Sequence, residues 1–306
     1  MLAACGDNEP EQVVKKPTSP KDTLKPAPIY TKSAYRLFYS NNLDQQIGVI
    51  DLTDFSNTIR LDNPKNNLGI TLGISVNQRG QRLYITETDG ARILRLSLAD
   101  TSNFKLVYDS DNGVVNPTSV VVDTIAKRLY WADSGRGQIM QGELFGSKTV
   151  APVALFGGAQ VIANCLGLAI DGKKKEIYFC DNSLKKIMVG SLTGTDAPTP
   201  LFENFEKMGC PTSLVLTDDK IFWADDCTGS IISANRDGSG VPQIIFDAEN
   251  DGISLPQGLD VDKKNGKIYW SDVDSYTIYR GTTDGSGIPE ILVENIYANS
   301  ISLELK

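Results

Sequence analysis

The sequence predicts an all-β fold, a six-bladed β-propeller with four antiparallel strands in each blade. Three observations lead to this prediction. An aromatic motif occurs six times, an isoleucine follows each copy at a fixed distance, and the end of the chain matches the start of a repeat. The same observations set the domain boundaries, with segments 1–5 and 6–33 before the repeats and a propeller over residues 34–306.

Each copy of the motif has an aromatic residue, an aromatic or apolar residue, a small residue and then an acidic or amide residue. The copies are residues 38–41, 84–87, 130–133, 178–181, 222–225 and 269–272. Eight positions after the second motif residue stand Ile47, Ile93, Ile139, Ile187, Ile231 and Ile278. These isoleucines are 44 to 48 residues apart, which is the length of a four-stranded blade.

The pattern within each repeat predicts four short strands. An apolar strand such as 117–122 or 256–261 comes first, and a polar turn such as 263–266 leads to the motif strand. A third strand begins near the isoleucine, and a glycine turn such as 237–240 or 284–287 leads to the fourth. Glycine suits these turns because it adopts positive φ without steric cost.

Closure of the ring can also be predicted. The first copy has Pro26-Ala27-Pro28 where its innermost strand should be, whereas residues 299–304 have the pattern of the innermost strand 117–122. We therefore expect residues 299–305 to pair with the strand around residues 36–40. Such pairing joins the two ends of the domain and removes an exposed sheet edge.

The repeat, which reads aromatic-Trp-small-Asp, then Ile, then Asp-Gly-Ser-Gly, resembles the YWTD repeat of the low-density lipoprotein receptor family. The resemblance covers about residues 34–306 and is strongest in the third, fifth and sixth copies. In the first two copies Tyr39 and Ile85 replace Trp, and Asn41 and Glu87 replace Asp. The resemblance implies a non-catalytic module that presents one face to a protein or peptide ligand.

The repeated motif residues are expected to be structural. Tyr130, Trp131, Trp223 and Trp270 should pack between neighbouring blades. The carboxylates at the ends of the motif strands should accept backbone N–H groups from the next loop and fix the blade junctions. A catalytic group is needed once, whereas this carboxylate recurs as Asp133, Asp181, Asp225 and Asp272.

Four cysteines lie near strand ends on one face of the fourth and fifth blades. If Leu216 pairs with Ile221 in a tight hairpin, Cys210 lies opposite Cys227, which favours a disulfide. Cys165 with Cys180 is the matching pair, with a register offset of about two residues. Free buried thiols and a four-cysteine metal cluster are the alternatives.

The N-terminus resembles a bacterial lipobox, with Leu2, Ala3 and Ala4 before Cys5. In that case Cys5 is lipidated and becomes the mature N-terminus. Residues 6–33 are rich in proline and polar residues, which predicts an extended tether. We therefore expect an extracytoplasmic protein, lipid-anchored to a bacterial membrane in the cell envelope.

Composition limits the chemistry and the partners. The net charge of −8 disfavours nucleic acid and anionic membrane surfaces, so the expected membrane contact is through the lipid alone. The sequence contains no histidine, which excludes a Ser-His-Asp triad, a Cys-His dyad and a His-ligated zinc site within this chain. No cofactor, no catalytic residue and a monomeric state are expected.

The candidate binding face consists of the loops that lead into the innermost strands and the turns between the second and third strands. The ligand is expected to be a protein or peptide of unknown identity, and aromatic, apolar and arginine side chains suit such contacts. The candidate contact residues are Asp44, Arg92, Arg136, Leu184, Lys185, Asp226 and Tyr276.

Two other functions stay open. One is a hydrolase resembling the calcium-dependent lactonases, which hold a divalent ion over the channel with carboxylates and amides from the entries of the innermost strands. Those entries contain no carboxylate, and they hold Thr118, Ser119, Asn164, Thr212, Ser213, Gln257, Asn299 and Ser300. The other is carbohydrate binding in the envelope, through aromatic side chains that stack on sugars.

Overall fold

The computed structural model describes residues 35–53, 58–61, 68–77, 81–146, 150–157 and 162–305. The expected lipobox with Cys5 and the expected tether, 6–33, lie outside these ranges. The described residues form six four-stranded antiparallel sheets, the blades of a propeller. The strands of each blade are named A to D from the central channel outward. This architecture confirms the prediction from the repeats.

The strands are short and follow one another in chain order. Blades one to three contain β1 (Tyr35–Asn41), β2 (Gln46–Asp51), β3 (Thr58–Arg60), β4 (Thr71–Asn77), β5 (Arg82–Glu87), β6 (Arg92–Ser97), β7 (Lys105–Tyr108), β8 (Pro117–Asp123), β9 (Arg128–Asp133), β10 (Gln138–Glu143) and β11 (Val153–Gly157). Blades four to six contain β12 (Cys165–Asp171), β13 (Glu176–Asp181), β14 (Lys186–Ser191), β15 (Thr199–Phe202), β16 (Pro211–Leu216), β17 (Lys220–Asp225), β18 (Ser230–Asn235), β19 (Gln243–Phe246), β20 (Pro256–Asp262), β21 (Lys267–Asp272), β22 (Thr277–Thr282) and β23 (Glu290–Glu294).

The last strand, β24 (Ser300–Leu305), is the A strand of blade one. It pairs antiparallel with β1, and Ser40 lies opposite Ser300 while Arg36 lies opposite Glu304. Arg36 and Glu304 also form a buried ion pair, with Nε 2.6 Å from Oε2. The predicted closure of the ring by residues 299–305 is therefore confirmed.

Aromatic stacks join the blades. The second motif residue on strand B of one blade stacks on an aromatic residue of strand D of the preceding blade. The centroid distances are 5.2 Å for Trp131 and Tyr108, 6.4 Å for Phe179 and Phe156, 5.8 Å for Trp223 and Phe202, and 5.1 Å for Trp270 and Phe246. All three tryptophans are fully buried. These side chains thus supply the large apolar contacts between blades that the motif predicts.

Glycines permit close approach of neighbouring A strands. A Cβ atom on Gly73 would lie 2.8 Å from the Cα of Ser119, and one on Gly167 would lie 2.8 Å from the Cα of Ser213. Both contacts are with the backbone of the next A strand and are too short for a real Cβ atom. Small residues are therefore required in this layer, where the six A strands surround the channel.

Among the described residues, helical structure lies in the loops between blades. A 3-10 turn, Ser110–Asn112, lies between blades two and three, and α1 (Ala248–Asp251) lies between blades five and six. Each begins at an aspartate cap, Asp109 or Asp247. In the part of the chain that the structure describes, no helix has the length and apolar character needed to cross a membrane.

Candidate binding face

Successive strands reverse direction, so the loops fall on two faces of the disc. We call the entry face the one that bears the B–C turns and the loops leading into the A strands. The A–B face bears the A–B turns and the C–D loops. All seven predicted contact residues lie in or beside the B–C turns of the entry face.

The B–C turns share one backbone conformation. The residue immediately before each C strand has a left-handed φ between 48° and 59°, which side chains other than Gly, Asn and Asp seldom adopt. Glycine occupies the position in two of the blades, and a bulky aromatic, Tyr276, occupies it in blade six. The six residues are Gln45, Ala91, Gly137, Lys185, Gly229 and Tyr276.

Buried motif carboxylates hold these turns and loops in blades three to six. Asp181 accepts N–H groups from Ala163 at 2.6 Å and Asn164 at 3.0 Å, and also from Leu184 at 2.9 Å. The first two donors precede the A strand of the same blade, and the third lies in the B–C turn. Sequence reasoning assigned the donors to the next loop. Leu184 lies in that loop, the B–C turn, whereas Ala163 and Asn164 lie in the loop entering the same blade.

Asp133, Asp225 and Asp272 occupy the equivalent position and are also fully buried. Asp133 accepts the N–H groups of Val115 and Asn116. Asp272 accepts four, from Ser254, Leu255, Asp274 and Ser275. The repeated aspartates therefore act as fixed acceptors for backbone N–H groups, and their oxygens are occupied by these bonds.

In blades one and two other side chains occupy this position, and Glu87 of blade two bonds to the entry loop while Asn41 of blade one bonds within the B–C turn. Glu87 is buried, accepts the Gly69 N–H at 2.6 Å and forms an ion pair with Arg92. The Glu87 carboxylate raises the pKa of the Arg92 guanidinium. In blade one Asn41 accepts the Asp44 N–H at 3.0 Å and donates to the Asp44 carboxylate at 3.1 Å. Arg92 and Asp44, both predicted as ligand contacts, are thus engaged within the face itself.

The remaining predicted contact residues occupy different settings. Arg136 is exposed and donates to the Gly113 carbonyl at 2.7 Å. The carboxylate of half-buried Asp226 accepts from Gln257 at 3.0 Å, and burial raises its pKa. Tyr276 packs against Tyr297, with ring centroids 5.6 Å apart.

Leu184 and Lys185 line a small cavity of about 190 Å³ between the B–C turn of blade four and the loop leading to blade five. Phe205 and Met208 complete its apolar wall, and an ion pair of Lys186 with Glu203 borders it. Small-molecule sites usually measure about 300–1,000 Å³, so this cavity suits one side chain of a larger partner.

The entry face also exposes apolar side chains beyond the seven predicted contact residues. Leu43, Ile70, Val115 and Leu255 are 39% to 50% exposed. Ile70, Val115 and Leu255 lie just before an A strand. Buried carboxylates accept the N–H groups of Val115, of Leu255 and of Gly69 beside Ile70. The loop entering blade six adds acidic residues, among them Glu249 and Asp251. The face therefore combines fixed backbone, apolar contact points and negative charge.

The two cysteine pairs differ. Cys210 and Cys227 form a disulfide on the entry face of blade five. The expected disulfide of Cys165 with Cys180 is wrong, because both are buried free cysteines. A bulge at the start of β12 places Cys165 opposite Asp181 and leaves Cys180 opposite Gly167, so the cysteines are out of register. Burial raises the pKa of the Cys180 thiol to about 12.

The A strands surround a channel of about 400 Å³. Its wall is polar on the side of blades six, one and two, where Asp260, Ser302 and Ser75 lie at equivalent positions. The Asp260 carboxylate accepts the Leu303 N–H at 2.7 Å, and burial raises its pKa to about 6. Sequence reasoning considered only the entries of the A strands and missed this carboxylate, which lies in the middle of β20.

The channel entry offers few ligands for a cation. The hydroxyl groups of Thr118 and Thr212 donate to carbonyl groups of the next blade, at 2.6 Å to Cys165 and 3.1 Å to Pro256. Within the described ranges, the group of potential metal ligands close enough to share an ion comprises Cys210, Asp226 and Cys227. Both of its sulfur atoms are already joined in the disulfide.

Comparison with known proteins places this architecture among propellers of two kinds. No family model matches the sequence. Mouse nidogen-2 is 32% identical over 79 residues, which is 26% of this chain, and the chain spans only 6% of the length of nidogen-2. A crystal structure of a nidogen/laminin complex superposes with a TM-score of 0.75 at 15% identity, over 89% of this chain and 98% of that one.

Two lyase structures are also similar. A streptogramin B lyase has a TM-score of 0.57 at 16% identity, over 74% of this chain and 70% of that one. A virginiamycin B lyase from Staphylococcus aureus has a TM-score of 0.58 at 15% identity, over 78% and 75%. By its fold and its repeats, the chain is a six-bladed β-propeller with YWTD-like repeats.

Proposed function

We propose that this protein is a non-catalytic binding module whose entry face holds a protein or peptide ligand. The observation that carries the proposal is the fixed geometry of that face. In blades three to six a buried carboxylate ties the entry loop, and exposed apolar residues such as Val115 and Leu255 lie directly on the fixed backbone. A preorganised surface loses little conformational freedom on association, which favours affinity.

The composition of the face favours a particular kind of ligand. Apolar side chains surrounded by polar groups are typical of protein contacts. The carboxylates of Asp89, Asp274 and the loop entering blade six add negative charge, which favours a ligand segment with basic residues. The cavity beside Leu184 can receive one of its apolar side chains.

The similarity to the nidogen/laminin complex supports protein binding by this architecture. The lyases are enzymes of related fold, and one of the two structures is of a histidine-to-alanine variant described as catalytically inactive. This chain contains no histidine, which argues against the same chemistry. The buried tryptophans argue against carbohydrate binding, because they cannot stack on a sugar.

The proposal includes an extracytoplasmic position on a lipid tether attached at Cys5. The disulfide of Cys210 with Cys227 supports an oxidising compartment. Labelling cells with an alkyne fatty acid tests the tether. The wild-type protein should incorporate the label, and Cys5→Ala should not. Equal labelling of both would contradict lipidation at this residue.

Affinity enrichment tests the binding function. The immobilised protein is incubated with an extract of its source cells, beside the entry-face variant Leu184→Ser/Tyr276→Ser and the A–B-face variant Ile125→Ser/Lys174→Ser. We expect a protein ligand retained by the wild type and the A–B-face variant, and at least about tenfold less by the entry-face variant. Loss confined to the A–B-face variant would contradict the assignment of the face.

A further inference from the structure

We propose that the A–B face docks onto an anionic lipid surface. The A–B turns of blades three, four and six carry six exposed lysines, and the exposed acidic residues of the A–B turns are Asp218 and Asp219 in blade five. None of the six lysines forms a salt bridge within the described residues. They are Lys127, Lys173, Lys174, Lys175, Lys263 and Lys264.

The acidic residues closest in sequence do not neutralise these lysines by direct pairing. The carboxylate of Asp171 accepts the backbone N–H groups of Lys173 and Lys174, and its other oxygen pairs with Arg236. Asp262 accepts the N–H groups of Lys264 and Asn265 in the same way. The turns therefore use their aspartates to shape the backbone, while the lysine side chains project from it into solvent.

The C–D loops of this face are acidic but lie farther from the channel axis. Three of their aspartates accept both the N–H and the hydroxyl of a serine two residues later, as Asp237 does with Ser239. The face therefore has basic turns near the channel in blades three, four and six, and an acidic periphery. The whole-chain charge of −8, which led sequence reasoning to disfavour anionic membranes, averages over this separation.

The arrangement of the basic groups favours a flat surface over a linear polyanion. The lysines stand on turns of three blades around the channel mouth, and a plane can contact all of them together. An extended polymer would follow one side of the ring. Ile125 lies in the same set of turns and is 73% exposed, and Phe145 in the adjacent C–D loop is 47% exposed, with the guanidinium groups of Arg82 and Arg95 over its ring. Apolar groups among lysines suit the boundary between headgroups and acyl chains.

The course of the chain also favours contact between the A–B face and the membrane. β1 begins at Tyr35 on the A–B face, so residues 1–34 connect to the propeller on this side. A lipid on Cys5 would hold this face toward the membrane and leave the entry face pointing away. The inference does not depend on that lipid, because the lysines and Ile125 supply the contact.

Vesicle sedimentation tests the inference. The full chain carrying Cys5→Ser, to remove any lipid, is mixed with vesicles of phosphatidylcholine with and without phosphatidylglycerol, at low and at high salt. We expect binding to the phosphatidylglycerol vesicles that weakens as salt rises. K173Q/K174Q/K175Q should reduce the partition coefficient by about 100-fold.

A matched triple variant on the entry face, K185Q/K186Q/K207Q, removes the same charge and should change the partition coefficient by less than about twofold. Three results would overturn the inference: equal binding to both kinds of vesicle, an equal loss in the two triple variants, or tighter binding to soluble dextran sulfate than to vesicles. Circular dichroism of each variant verifies that the propeller is intact.

Discussion

The two faces of the propeller fix their loops by different means. On the entry face, Asp181 joins its B–C turn to residues 17 and 18 positions earlier in the chain. On the A–B face, Asp262 bonds to residues two or three positions later in its own turn, and Asp171 makes the same local bonds together with an ion pair to Arg236. Long-range bonds make the entry face a rigid surface, whereas the local bonds leave A–B turns free to differ in sequence and to carry lysines.

The largest effect that separates the faces is expected from matched alanine variants in blade six. Asp272→Ala leaves four N–H groups without their acceptor inside the structure, and the free energy of unfolding should fall by about 4 kcal/mol. Asp262→Ala removes a buried carboxylate that bonds only within its own turn, and it should lower the free energy of unfolding by about 1 kcal/mol. Urea denaturation measures both, and equal losses would refute the distinction.

The disulfide of Cys210 with Cys227 is expected to stabilise the entry face. Cys210→Ser/Cys227→Ser opens a loop with a sequence separation of 17, and about 3 kcal/mol of stability should be lost. The control Cys165→Ser/Cys180→Ser removes no bond, although the buried hydroxyl groups carry their own cost. Reductant therefore provides the cleaner control, because it should destabilise the wild type and leave the Cys210→Ser/Cys227→Ser variant unchanged. Insensitivity of the wild type to reductant would count against the bond.

A smaller effect on stability, which depends on pH, is expected from Asp260 in the channel between the faces. The folded-state pKa of Asp260, about 6, exceeds its ordinary value of 3.8, so ionisation destabilises the folded protein as pH rises through this interval. Asp260→Asn keeps an acceptor for the Leu303 N–H and should stabilise the protein by roughly 2 kcal/mol at pH 8, with no gain at pH 3. A gain that is independent of pH would contradict the proposed titration.

Asp171 should show the opposite dependence. Its bonds to Lys174 and Arg236 outweigh its burial and lower its pKa to about 2, so its stabilising contribution is present above pH 4 and lost as pH falls toward 2. Asp171→Asn should thus destabilise the protein at pH 7 and have little effect near pH 2. Thermal denaturation across this range separates the two aspartates.

The repeat was sufficient to predict the blades and their closure. The motif positions recur because the blade junctions use an apolar or aromatic contact at one position and a buried acceptor of backbone N–H groups at another. The hairpin register that placed Leu216 opposite Ile221 is also present in the structure. These features depend on local pattern and on spacing, which the sequence displays directly.

Features that differ between blades could not be predicted in this way. Ser75, Val121 and Asp260 occupy the same position in blades two, three and six, and only the closed ring shows that they face a common channel. The sequence indicates the offset of Cys165 from Cys180 but not the bulge that produces it, which recurs at the start of the A strand in blades two to six. Arg92 could be selected as a surface residue, but its pairing with Glu87 depends on the longer side chain that replaces Asp in blade two.

Photo-cross-linking with a protein ligand obtained by enrichment tests most directly whether the entry face holds the ligand. A photoreactive amino acid is placed at Leu43 or Leu255 on the entry face, and at Ile125 or Lys174 on the A–B face. All four side chains are exposed, so labelling efficiency is comparable. If the entry face holds the ligand, Leu43 and Leu255 alone should form cross-links to it. Cross-links mainly from Ile125 or Lys174 would contradict this assignment of the face.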